Sequence, residues 1–199
     1  ILALLVKKLR QKWPRVKIVF RGDSGFCKHK MLDWCEKNEV YYIIGIGKNS
    51  RLLEASQALI DQAADQYRQT EKKQRLFDDF EYAAKSWSRH RRVIVKAEHT
   101  FKGSNPRYVV TNLSGDPQYL YDKVYCARGE MENRIKEQQL YLFSDRTSSM
   151  NWLPNQFRVL LSGIAYTLLQ TIRRMGLAGS DLAKARCDTI RLKLLKIGA

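Results

Sequence analysis

Acidic residues are scarce in this chain. Against 36 Lys and Arg stand 20 Asp and Glu, a net charge of +16 over 199 residues. That balance argues against a neutral partner and points to a polyanion, most simply nucleic acid, although ribosomal and merely soluble basic proteins share it. Cysteine is sparse and badly spaced for metal. Cys27, Cys35, Cys126 and Cys187 contain no C-x2-C pair, which excludes a zinc ribbon and leaves reduced thiols of a cytosolic protein. His29, His90 and His99 are scattered, with no H-E-x-x-H among them. No apolar run reaches the ~18 residues of a membrane span, and no signal-peptide pattern is present. Internal repeats, low-complexity tracts and flexible linkers are missing as well. What remains, with 44% hydrophobic residues, is one domain of moderate size with a real core. The chain opens at Ile1 with no initiator Met, and its first residues read as mid-domain helix. The expectation is a fragment whose start has been lost.

The stretch that organises the rest is Tyr121 to Gln139, YDKVYCARGEMENRIKEQQ. Tyr125, Arg128 and Glu132 stand in a Y-x2-R-x3-E spacing, and good helix formers run on from Glu130. On a helix beginning near Arg128, Arg128 and Glu132 share a face. A carboxylate beside a permanently charged guanidinium stays ionised, as a hard divalent ion requires of an oxygen ligand. Taken alone, such a pair is usually a solvated salt bridge.

Upstream, residues 1–12 carry helical apolar spacing with a basic outer face, stopped by Pro14. Val16 to Phe20 predicts a buried central strand, which runs into RGDSGF. Gly22 and Gly25 flank Asp23, so a sharp turn is expected. Asp23 then sits at the carboxyl end of a core strand, where open α/β sheets place their sites. A plain turn or helix-cap role for Asp23 is the competing reading. The Arg-Gly-Asp triplet is not read as an adhesion motif, because it closes a buried strand in a basic, thiol-bearing chain. Residues 28–38 predict a helix with Met31, Leu32 and Cys35 inward, and Val40 to Ile46 the next strand. This strand–helix–strand order predicts a parallel pair with a right-handed crossover. One long helix, capped by Asn49 or Ser50, is expected from Arg51 to Gln69.

From there the pattern turns β-rich, with Phe77–Tyr82, Arg92–Ala97 and Arg107–Asn112 as strands. Trp87, Arg89, Arg91 and Arg92 lie together in WSRHRR. Such a segment can follow a phosphate backbone, or it can protect a hairpin edge by charge. Asp145 to Met150 is a polar loop. Asn155 to Met175 predicts an apolar helix buried against the sheet. Thr189 to Ile197 alternates basic and apolar residues and predicts a final strand with one basic face.

Together, RGDSGF after a strand, YCARGEMENRIKEQQL, the DRTS loop and TIRLKLLKIGA resemble the DDE transposases of bacterial insertion sequences. The nearest group is the thirteen-eighty group, related to transposases with a Tyr–Arg–Glu–Lys signature. The resemblance covers essentially all 199 residues. It implies an α/β, ribonuclease-H-like fold, partial because its first strands are missing. One catalytic domain then spans 1–199, with a β-rich insertion at about 71–115 between the second and third catalytic acids. Asp23 matches the second acid and Glu132 the third, 109 positions later; Tyr125 and Arg128 match the signature Tyr and Arg. The resemblance further implies Mg²⁺ or Mn²⁺, two ions in the complete protein, held by carboxylates that include Asp23 and Glu132. Its implied partners are double-stranded DNA, as element ends and target, and a homo-oligomer on that DNA, with no membrane. The implied location is the bacterial cytoplasm, on the nucleoid when DNA is bound. Arg128 and Lys136 join Arg89, Arg91 and Arg92 as expected DNA contacts.

Two departures stand out. Gln139 occupies the signature Lys position, leaving Lys136 as the nearest substitute. The first catalytic Asp has no counterpart, since Asp33, Asp61 and Asp65 fall on predicted helices. The implied activity is metal-dependent strand cleavage at element ends and strand transfer to target DNA, with this fragment alone inactive. The alternatives are a ribonuclease-H-like nuclease without strand transfer and an inactive DNA-binding remnant.

Overall fold

The computed structural model describes residues 1–196, and for Arg128 and Glu130 the backbone alone. The chain divides into two compact units, Ile1–Arg128 and Gly129–Ala199. Among the described residues no helix is long and apolar enough to cross a membrane.

The first unit is built on a mixed sheet ordered β1-β2-β6-β4-β3, with a short β5 on β4. β1 is Val19–Gly22, β2 Tyr41–Ile46, β3 Gln74–Tyr82, β4 Arg91–Thr100, β5 Gly103–Ser104 and β6 Arg107–Thr111. β1 and β2 pair in parallel, Val19 opposite Tyr41, as their connection through helix α2 (His29–Lys37) requires. Two expectations for β1 fail. It begins at Val19 rather than Val16, because the chain is still turning at Pro14–Arg15. Among the described residues it is an edge strand rather than a central one, and Val19 is 42% exposed.

The β-rich segment does not stand apart from this pair. β6 runs antiparallel to both β2 and β4, and β3 and β4 form a long antiparallel hairpin. Continuous apolar runs in β2 and β4 allow burial on both faces. Tyr42, Ile44, Val93, Val95 and Val110 face one cluster, which takes in Leu32 and Cys35 of α2 and Val6 of α1 (Leu2–Lys12). Ile43, Ile94 and Val109 face a second, closed by Leu120 and Tyr121. Each such side chain, fully buried, stabilises by roughly 1.5–3 kcal/mol.

The single helix expected over 51–69 is two helices, α3 (Ser50–Ala55) and α4 (Gln57–Thr70). The break falls at Ser56. Its buried hydroxyl lies 2.9 Å from the Leu52 carbonyl oxygen and 2.8 Å from the Tyr108 hydroxyl, a local alternative to the helical ladder. Asn49 caps α3 as expected, accepting the Leu52 amide at 3.0 Å.

The second unit is helical. α6 (Arg128–Lys136) widens into π-turns over Glu137–Tyr141. α7 (Trp152–Thr171) does the same over Ile172–Gly176, and α8 (Cys187–Ile190) over Arg191–Leu195. The last of these corrects the expected final strand. Cys187, Ile190 and Leu194 recur at helical spacing and pack with Leu169, a pattern that outweighs the local alternation. Ile197, the end of that expected strand, lies outside the described residues. α7 is also less buried than its composition predicts. Only Ser162 and Leu169 are buried in it, while Leu160, Ile164 and Leu168 stay about 60% exposed.

Glu137 holds this unit together. Its carboxylate accepts from Arg173 and Arg134, both at 3.0 Å, and from the Cys187 amide at 3.1 Å. Burial works to raise its pKa, but these three donors outweigh burial and hold it below the usual carboxylate range.

Candidate functional site

Asp23 follows directly on β1, at the carboxyl end of a strand that has a parallel neighbour. Its Oδ1 accepts the Gly25 amide at 3.0 Å and caps the one-turn helix Ser24–Phe26. The cap role weighed against a chemical one is therefore present, and it orients the carboxylate. Phe26 folds back so that a methyl group on Gly22 would lie 3.0 Å from its Cβ, and its ring meets Phe20 edge-on at 5.7 Å. Glycine at position 22 is what allows this turn to close.

Tyr125 reaches the same turn from 102 positions away. α5 (Pro117–Tyr119), capped by Asp116, runs into a π-helical stretch, Leu120–Tyr125. Wide π-turns are rare and often lie at functional sites. This one is pinned at several points. Leu120 and Tyr121 are buried, the Tyr121 and Tyr125 rings stand 5.5 Å apart, and Arg21 of β1 donates to the Val124 carbonyl at 2.9 Å. Lys96 sits 5.5 Å over the Tyr121 ring. The Tyr125 hydroxyl ends against Gly45 of β2. A methyl group there would lie 2.6 Å from that oxygen, 3.3 Å from the Ser24 amide nitrogen and 3.6 Å from the Asp23 carbonyl carbon. Asp23 and Tyr125, two of the expected site residues, are thus brought together within the first unit.

Glu132 and Lys136 lie on α6 with exposed side chains, as does Gln139 beyond them. α6 begins at Arg128, so Arg128 and Glu132 stand one turn apart on one helix, as their spacing predicts. The Arg128 side chain lies outside the description. The buried acid of this segment is Glu137, which sequence reasoning passed over. Arg134, three residues earlier, was a local hint; its other partner Arg173 is 36 positions away and gave none.

The arginines read as phosphate contacts are otherwise engaged. Arg91 is buried, its guanidinium reaching Glu36 at 2.7 and 2.9 Å and Asp33 at 2.5 Å. Arg92 pairs with Asp79 at 2.8 Å and donates to the Leu113 and Gly115 carbonyls. Arg89, the most exposed, pairs with Glu36. α2 presents two acids to the start of β4, and the Arg91 guanidinium closes over them rather than standing at the surface. Burial works to raise the Glu36 pKa, but hydrogen bonds from Arg91, Tyr42 and Arg89 outweigh it and hold the carboxyl at about 2.

Asp23 and Glu132 are hard oxygen donors, which fits a divalent ion in kind. Among the described residues no three His, Cys, Asp or Glu side chains gather into a metal-holding group.

No curated protein matches the sequence. A family model described as transposase DDE domain group 1 matches residues 1–199, the whole chain. The chain therefore belongs to the DDE transposase family.

Proposed function

We propose that this chain is the ribonuclease-H-like catalytic domain of an insertion-sequence transposase of the thirteen-eighty group. It cuts duplex DNA at element ends and joins the freed 3′ hydroxyl to a target. The observation that carries this reading is the meeting of Asp23 and Tyr125 at the carboxyl ends of β1 and β2, in a chain matched throughout by a DDE transposase family. Asp23 in the first unit and Glu132 in the second are each assigned as carboxylate ligands for Mg²⁺ or Mn²⁺. A divalent ion so held supplies charge stabilisation at the scissile phosphate. The chain's own part is to fix the Asp23 carboxylate on a strand end, to bring the Tyr125 hydroxyl to Gly45 near the backbone of that turn, and to offer Arg128 and Lys136 to the DNA backbone. The β-rich segment at about 71–115 separates the two acids in sequence. The protein works in the cytoplasm, on the nucleoid, as a homo-oligomer assembled on its DNA.

The test, made on the full-length protein, is cleavage of labelled element ends with a supercoiled target present. Asp23→Asn and Glu132→Gln each keep shape and remove charge. Each is expected to lower cleavage by several orders of magnitude while DNA affinity and thermal stability barely change. Near-normal cleavage by either variant removes that residue from the site. Cut ends with no joined product in the unmodified protein would favour a nuclease without strand transfer.

A further inference from the structure

We propose that Gly45 is a positioning residue for Asp23. The missing side chain on β2 admits the Tyr125 hydroxyl to the Asp23–Ser24 backbone, and that hydroxyl then holds the turn carrying the carboxylate. The proposal rests on reading Asp23 as a catalytic acid. It adds a residue that no motif marks, since Gly45 lies inside an apolar strand (YYIIGI).

The geometry leaves little room for another arrangement. Gly45 is buried, and the point its Cβ would occupy is 2.6 Å from the Tyr125 oxygen, closer than real Cβ contacts come. Something must move if a methyl group is added. The Tyr125 ring cannot swing away freely, because it stands beside the buried Tyr121 ring and the preceding residue is tied to Arg21. The same Cβ point lies 3.3 Å from Ser24 N and 3.6 Å from the Asp23 carbonyl carbon, both backbone atoms. An added methyl group therefore crowds both the Tyr125 hydroxyl and the turn whose Gly25 amide holds Asp23 Oδ1 at 3.0 Å. The Asp23 carboxylate is re-aimed without being altered chemically. A misplacement of about 1 Å at a reacting centre costs on the order of 100-fold in rate.

Gly47 provides a matched control two residues on, where a Cβ would meet nothing within 4 Å. Gly45→Ala, Gly47→Ala, Tyr125→Phe and the Gly45→Ala/Tyr125→Phe pair are compared by amide NMR and by cleavage. The Gly25 amide reports the Asp23 carboxylate directly, whether or not the protein is active. Gly45→Ala is expected to shift the Ser24 and Gly25 resonances and to lower cleavage about 100-fold; Gly47→Ala is expected to do neither. Removing the hydroxyl in the pair returns the Gly25 resonance toward its original position and brings cleavage back to the level of Tyr125→Phe alone. The inference is overturned if Gly45→Ala behaves like Gly47→Ala, or if the losses from Gly45→Ala and Tyr125→Phe multiply. Should Gly45→Ala fail to fold, the pair decides: an unfolded pair means the overlap does not lie with Tyr125. Asp23→Asn in the same cleavage assay separates the two claims. Normal cleavage there removes the catalytic reading, while the Gly25 shift still decides the contact.

Discussion

Replacing Arg91 by Met tests whether the arginine cluster at the start of β4 is packing or a phosphate contact. Met keeps most of the length and removes the charge. The Arg91 side chain is 2% exposed and makes three short contacts to Glu36 and Asp33. Removing one partner of such a buried pair costs about 3–5 kcal/mol, because an uncompensated charge stays behind. Two features put the expected loss at the lower end. Arg89 and the Tyr42 hydroxyl still reach Glu36, and the Arg91 NH1 group has no hydrogen-bond partner to lose. About 3 kcal/mol corresponds to a fall in Tm of roughly 6–12 °C for a chain of this size. Duplex-DNA affinity, measured by fluorescence anisotropy across a salt series, should keep its slope, because a buried guanidinium releases no counterions. Adding Glu36→Leu to Arg91→Met should recover much of the loss, since the stranded charge goes too. A Tm unchanged within about 1 °C, together with a flatter salt slope, would refute the packing account and return Arg91 to the DNA.

Acid should act through the same cluster. The Glu36 carboxyl is held below its ordinary 4.5, at about 2, so it stabilises the fold above the ordinary value and loses that contribution as pH falls from 4.5 toward 2. Urea midpoints measured between pH 6 and 2.5 should fall over that window and fall less in Glu36→Gln. Glu137→Gln should cost the second unit on the order of 3–5 kcal/mol, because Arg173, 7% exposed at its side chain, loses its charged partner. Glu132→Gln, on an exposed position of the same helix, should change stability by no more than a few tenths of a kcal/mol. Equal losses at the two positions would mean that Glu132 is as structural as Glu137. Ser56→Ala leaves the Tyr108 hydroxyl without its 2.8 Å partner and should cost about 1–3 kcal/mol by thermal unfolding.

Sequence alone determined the features that depend on neighbours close along the chain. The parallel pairing of β1 with β2 follows from a strand, a short helix and a strand in succession, which close in only one hand. The Asn49 cap, the turn at Gly22–Gly25 and the one-turn separation of Arg128 and Glu132 are likewise local. The net charge and the paired motifs were enough to suggest a DDE transposase, and the family match agrees. Tertiary structure decided whatever depended on a distant partner. Arg91 reads as a surface cation until α2, 55 positions back, presents Glu36 to it. The 187–195 segment alternates like a strand until Leu169 offers Cys187 and Ile190 a helical packing surface. The helix over 51–69 is continuous by propensity until Tyr108 engages Ser56. Gly45 carries no signal at all in sequence, because its role is to have no side chain where Tyr125 arrives from 80 positions away. Periodicity and spacing report on a residue's own helix or strand, whereas burial and pairing depend on which other segments the fold brings alongside it.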